Sequence, residues 1–236
     1  MMGEHDDRMG GAGQGTTVIM VYGMNPEKMN CQRLFNLLCM YGNVNKIKFL
    51  KTKEGCAMVE VPDSMAAERM MANISGRDAF GSTLSVGFSK QSFIADVRQP
   101  YELPDGSESF ATYTNSKNNR FTTPELAMKN RIMPPTKHLH FYNVPPGFSE
   151  ADIKQLFSAD EEDGGTKTGY SPEVKLFETK SERTARGILT FNTIEDATEC
   201  CIMYNHKSIE NPGGRFPYTM KLAFTGAGRG GGPRNN

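Results

Sequence analysis

Twice along this chain, stretches of alternating apolar residues and stretches with three- and four-residue apolar spacing follow one another in the same order. That order is strand, helix, strand, strand, helix, strand. Alternation buries one face of a strand, and three-four spacing buries one stripe of a helix, so the order restricts the fold before any composition is considered. In the first copy, Val18-Ile19-Met20-Val21-Tyr22 reads as a strand ended by Gly23 and Asn25-Pro26. Asn30 can cap a helix striped by Leu34, Phe35, Leu38 and Cys39 and closed by Gly42. Residues 44–50 set Ile47 and Phe49 against Lys46, Lys48 and Leu50, and residues 53–61 set Ala57 and Val59 against Cys56 and Met58. Asp63 or Ser64 caps a second helix (Met65, Ala66, Met70, Ile74) stopped by Gly76, and residues 84–88 alternate as a fourth strand.

The second copy begins after residue 137. A strand over 139–144 ends at Pro145-Pro146, and Ser149 opens a helix with Glu150 and Asp152 in its first turn and Ile153, Leu156 and Phe157 inside. Residues 174–177 and 187–191 follow as strands. Ile194, Ala197, Cys201 and Tyr204 stripe a helix, and residues 218–224 close the unit. The expected fold class is therefore α+β, with two ferredoxin-like βαββαβ units over 16–93 and 138–225. Residues 1–15 read as a disordered, Gly-rich start, and 226–236 as a Gly/Arg-rich tail. The connector, 94–137, is too long for a plain loop. Thr123-Pro124-Glu125 predicts a short helix over 124–131, and Phe110, Tyr113, Phe121, Leu126 and Ile132 predict a connector that packs on the units.

Composition excludes several classes. No apolar run approaches the ~20 residues of a membrane span, so no membrane is expected. Residues 1–15 have no apolar core, so a secretory signal is not expected either. The five cysteines are odd in number and sit in apolar periodic segments, which predicts reduced, buried thiols and a cytosolic or nuclear protein. His138 and His140 alternate on a strand without nearby acidic or cysteine ligands, and Cys200-Cys201 lacks redox spacing. There is neither a phosphate loop nor a nucleophile–base pair, so the reading is a non-enzyme without cofactor or metal. Net charge is zero overall, yet 16–93 carries +3 and 138–225 carries −4, which makes phosphate contacts easier for the first unit.

Such a unit covers one sheet face with helices and leaves the other open. In the first unit the open face holds Met20, Tyr22, Lys46, Lys48, Leu50, Cys56 and Met58, with Ser85, Gly87, Ser89 and Lys90 at its fourth strand. The basic loop (Lys51, Lys53), Gly55 and the following strand have the setting of an RNA-recognition motif's third strand. Cys56 and Met58 stand where its signature aromatics would. One tyrosine, polarisable sulfurs and lysines suit a stacked base with neutralised phosphates; the alternative is that Met20 and Met58 pack under the connector. In the second unit the open face holds His140, Tyr142, Lys175, Phe177, Arg186, Ile188, Lys221 and Ala223, with Lys180 and Arg183 in the adjoining loop. These rings and cations suit bases too, against the alternative of a solvated charged sheet. The acids (160–163, Glu195, Asp196, Glu199) fall away from this face. Arg229 and Arg234 in the glycine-rich tail offer weak RNA contacts or mark a plain terminus.

Several segments together resemble the heterogeneous nuclear ribonucleoprotein L family, relatives of the polypyrimidine-tract-binding proteins. They are Met20-Val21-Tyr22-Gly23, Met29-Asn30-Cys31, Leu38-Cys39-Met40-Tyr41-Gly42-Asn43-Val44, Asn118-Asn119-Arg120-Phe121, Lys129-Asn130-Arg131-Ile132, Lys180-Ser181-Glu182-Arg183 and Pro217-Tyr218-Thr219. The resemblance is to the C-terminal half of that family and covers residues 16–225, connector included. It implies single-stranded RNA binding with preference for CA-rich elements, a role in pre-mRNA processing and alternative splicing, and residence in the nucleus, with the cytoplasm as a second location. It also implies a monomer whose two motifs pack through helices and connector with their sheets outward, as a fragment or short isoform of a longer architecture. Missing signature aromatics are usual for that family. The competing reading is a protein-binding scaffold that recruits splicing or chromatin factors.

Overall fold

The computed structural model describes residues 17–158, 169–178, 183–211 and 213–226. The first unit contains β1 (Thr17–Tyr22), α1 (Cys31–Leu38), β2 (Lys46–Phe49), β3 (Ala57–Val61), α2 (Ser64–Ile74), β4 (Arg77–Ala79) and β5 (Ser82–Phe88). The connector contributes β6 (Phe110–Thr112) and α3 (Pro124–Lys129). The second unit contains β7 (His138–Val144), α4 (Glu150–Gln155), β8 (Glu173–Leu176), β9 (Ala185–Thr190), α5 (Ile194–Tyr204), β10 (Ser208–Ile209), β11 (Tyr218–Thr219) and β12 (Lys221–Thr225).

Both sheets are antiparallel. The first runs β4-β5-β1-β3-β2-β6 and the second β12-β7-β9-β8, which is the expected split arrangement with the first strand central. The caps read from sequence form: Asn30, Asp63, Thr123 and Ser149 each accept a backbone N–H of the first helical turn, and Ser149 with Asp152 closes a capping box. Gly55 takes a positive φ of 66° and its carbonyl accepts the Met24 N–H at 3.1 Å; a side chain there would meet the Met24 backbone.

Three features differ from the sequence reading. Strand β6, from the connector, adds to the edge of the first sheet beside β2, with Lys48 opposite Phe110. The fourth strand of the second unit is split at Met220, its first part pairing with β10 in a separate ribbon. In the first unit, β4 and β5 form a hairpin whose two turn residues, Phe80 and Gly81, both have positive φ.

The units meet through their helix sides and the connector, as expected. Helix α1 packs on α5, and Asn205 at the end of α5 is the junction. Its Nδ2 donates to the Asn36 carbonyl at 2.7 Å, and its Oδ1 accepts from Arg120 Nη2 and from the Leu222 N–H, both at 3.0 Å. One buried side chain thus ties the first unit, the connector and the second sheet. Glu199 of α5, acidic and away from the sheet face as expected, accepts the strained Phe80 N–H at 2.6 Å, and Glu195 accepts that of Gly81 at 3.3 Å. The aromatic Tyr113 of the connector stacks flat on Phe35 of α1 at 4.2 Å. All five cysteines are buried and free, and burial pushes the Cys31 thiol up to about 12, so it stays protonated and unreactive at neutral pH.

Candidate nucleic-acid interface

The open face of the first unit is not the bare platform that alternation implied. Met58 is only 7% exposed and Cys56 only 4%, a correction to their expected exposure. Just past β5 the chain turns back across this face, and Ile94 (2% exposed) caps a small cluster with Val18 and Met58, flanked by Met20, Leu50 and Phe110. Two polar side chains on the face clamp that strap. Glu60 accepts the Ile94 N–H at 2.6 Å, while Lys46 donates to the Ile94 carbonyl at 3.0 Å and pairs with Asp96 at 2.8 Å. Packing under the connector, the alternative weighed for Met20 and Met58, is therefore what occurs. Lys46 is spent on the strap.

What stays accessible lies at the rim. Tyr22 is half-buried with the Lys53 ammonium 4.5 Å from its ring centroid, Lys48 and Ser89 are half-buried, and Lys90 is exposed. Lys53 is a contact that the face pattern missed, because it comes from the loop before β3 rather than from a strand.

The second unit keeps its face open. Register lines up Ala223, His140, Ile188 and Lys175 in one row across four strands, with Lys221 opposite Tyr142 in the next. The His140 ring lies 5.3 Å from Tyr142 at an interplanar angle of 26°, and 5.9 Å from Phe177, which is 39% exposed at the end of β8. Three rings thus share one patch, flanked by the exposed cations Lys175 and Arg186. Burial, and then the Arg186 charge, hold the His140 pKa below its usual 6.5, so the ring is neutral at physiological pH and stacks without a charge to desolvate. Burial, then the Arg120 charge, also lowers the pKa of half-buried Lys221. Behind this patch Gly187 leaves room for Phe141, whose ring would touch any β-carbon there. Arg183 is exposed beyond the sheet, where its carbonyl accepts the Tyr218 hydroxyl at 3.4 Å. Lys180 lies outside the described residues, as do residues 160–163, Arg229 and Arg234.

No group of three or more metal-ligating side chains occurs among the described residues, and no helix among them is long and apolar enough to cross a membrane.

Known proteins resemble the chain in both halves. The family model described as "RNA recognition motif (a.k.a. RRM, RBD, or RNP domain)" matches residues 3–116, and one described as "RRM domain" matches residues 129–229. Heterogeneous nuclear ribonucleoprotein L of Homo sapiens is 44% identical over 210 residues, 89% of this chain and 34% of that protein. The Mus musculus protein of the same name is 43% identical over the same length, 35% of its own. The chain thus spans about a third of the length of these relatives. Among solved structures, the Sxl-lethal protein/RNA complex aligns over 88% of this chain and 99% of that one, at 16% identity and a TM-score of 0.28, too low to add to the argument.

Proposed function

The chain belongs to the RNA recognition motif family, as an RNA-binding relative of heterogeneous nuclear ribonucleoprotein L, and we propose that it selects single-stranded, CA-rich RNA chiefly on the open face of its second unit. The observation that carries this is the ring patch in which half-buried His140 and Tyr142 meet exposed Phe177, edged by Lys175 and Arg186. Bases stack on rings whatever their identity, and selectivity comes from base-edge hydrogen bonds made nearby, while the cations neutralise phosphates. The first unit adds rim contacts from Tyr22, Lys48, Lys53, Ser89 and Lys90, and Met20, Leu50 and Met58 support them from beneath the strap. With the units joined through their helix sides, faces that diverge would favour looping of one RNA or binding of spaced elements. The role that follows is in pre-mRNA processing and alternative splicing, in the nucleus, with the cytoplasm as a second location.

A labelled CA-repeat oligonucleotide is titrated by fluorescence anisotropy against poly-A and poly-U of equal length. Preference for the CA repeat, weakened by salt, is expected; equal weak binding to all three would sink the reading. The strap across the first sheet favours a second reading, in which that unit recruits splicing or chromatin proteins instead of RNA, and that outcome would turn the search to peptide partners.

A further inference from the structure

Beside the second sheet's edge strand, β12, lies a cleft of about 710 Å³ walled on one side by the connector. Six cations line it: Lys117, Arg120, Lys129 and Arg131 from the connector, and Arg186 and Lys221 from the sheet. No carboxylate is among the described residues that line it. Arg120 is the unusual member. Only 5% exposed, it gives Nη2 to Asn205 at 3.0 Å, yet its Nε–H has no partner. A buried guanidinium with an unused donor is costly unless an anion completes it. Its neighbours register the same excess of positive charge: the Arg120 and Lys221 charges add to burial in depressing the pKa of His206 to about 3.

We propose that this cleft binds phosphate, and that the phosphate is a diester of the RNA strand as it leaves the second sheet. This rests on the reading of that sheet as an RNA surface. The cleft opens onto His140 and Tyr142, so a base stacked there delivers its neighbouring phosphodiester to Lys221 and Arg120. Spreading the cations along a wall, instead of converging them on one point, fits a backbone rather than a small free anion. The connector is then part of the binding site. Because Arg120 also holds Asn205, RNA in the cleft fastens the joint between the units.

The test replaces two exposed rim lysines, Lys117→Gln with Lys129→Gln, and leaves the Arg120 junction intact. Binding of the CA-repeat oligonucleotide is followed across a salt series for this double variant, wild type and Tyr142→Ala. The log affinity against log salt slope should become shallower by about 1.4 in the double variant, at ~0.7 per lost phosphate contact on a single strand. CA-repeat and poly-U binding should weaken by similar factors, because phosphate contacts carry no sequence. An unchanged slope and affinity overturns the proposal. If Tyr142→Ala weakens binding while the double variant does not, the sheet reading stands and the cleft falls; the reverse pattern keeps the cleft and removes the base stack. In parallel, inorganic phosphate is exchanged for chloride at fixed ionic strength in a melting experiment. A phosphate-dependent rise in Tm that the double variant loses, together with an unchanged RNA slope, would assign the cleft to free phosphate and overturn the RNA assignment.

Discussion

In the first unit the face opposite the helices lies beneath Ile94, whereas in the second the connector walls a cleft on the β12 side and Phe177, Lys175 and Arg186 stay exposed. The register pairs the two surfaces position by position. Met20 corresponds to His140, Tyr22 to Tyr142, Met58 to Ile188, Glu60 to Thr190 and Lys46 to Glu173. The two residues that clamp the strap, Glu60 and Lys46, are thus the two whose counterparts cannot do so. Thr190 spends its hydroxyl on the His138 ring at 3.2 Å, and Glu173 has the opposite charge. Within one topology, the two faces thus differ at the two positions whose side chains hold the strap.

The largest effects should come from the joint that both units share. Phe35→Ala removes a side chain that is 1% exposed and the stacking partner of Tyr113, and should cost about 3–5 kcal/mol in urea unfolding. Leu156→Ala, at a helix of the second unit that leaves the side chain half-buried, should cost clearly less. Equal costs would mean that the joint carries no extra stability.

Acid should break the joint next. His206 donates Nδ1–H to Asn36 at 2.9 Å and buries an unpartnered Nε2, so its neutral form is the folded one. Burial first, then Arg120 and Lys221, depress its pKa to about 3. The unfolded chain binds the proton at an ordinary histidine pKa, so stability is full above about pH 6.5 and falls as pH drops from there toward 3. A loss on the order of a few kcal/mol near pH 4 is expected in chemical denaturation, beyond that of a His206→Gln variant.

On the faces themselves, Tyr142→Ala should weaken RNA binding by about 1–3 kcal/mol, while Tyr22→Ala, whose ring already faces Lys53, should cost less. Met58→Ala should lower stability and leave affinity nearly unchanged. If Tyr22 proved the costlier loss, the ranking of the two units would reverse.

Much of this was legible in the sequence. Periodicity and caps place both units because each short segment carries its own signal, as Asn30 and Ser149 show. The helix-side joint followed from the family resemblance, not from spacing. The strap was legible only as an alternative, packing of Met20 and Met58 under the connector, because alternation says which residues share a face but not what lies over it, and Ile94 sits among residues without periodicity. Nor did Glu199 and Asn205 stand out. Each looks like an ordinary helix-surface or helix-end residue until a partner more than a hundred positions away supplies its backbone N–H or carbonyl.

The smallest predicted effect is the most direct test of why the faces differ. Lys46→Met removes the pair with exposed Asp96 and the bond to the Ile94 carbonyl, while Glu60 still accepts the Ile94 N–H. A pair this open to solvent is worth only about 0.5 kcal/mol, so global stability should hardly move. Local opening of the strap should nonetheless become about two- to three-fold more frequent, which native-state hydrogen exchange reads at the Ile94 amide. Glu60→Gln, which keeps an acceptor but discards the charge, should accelerate the same amide more, because hydrogen bonds to an ionised acceptor are the stronger kind. If neither variant changes that exchange, the strap is held by Ile94 burial alone, and the contrast between the faces lies in apolar packing rather than in the Lys46–Glu60 clamp.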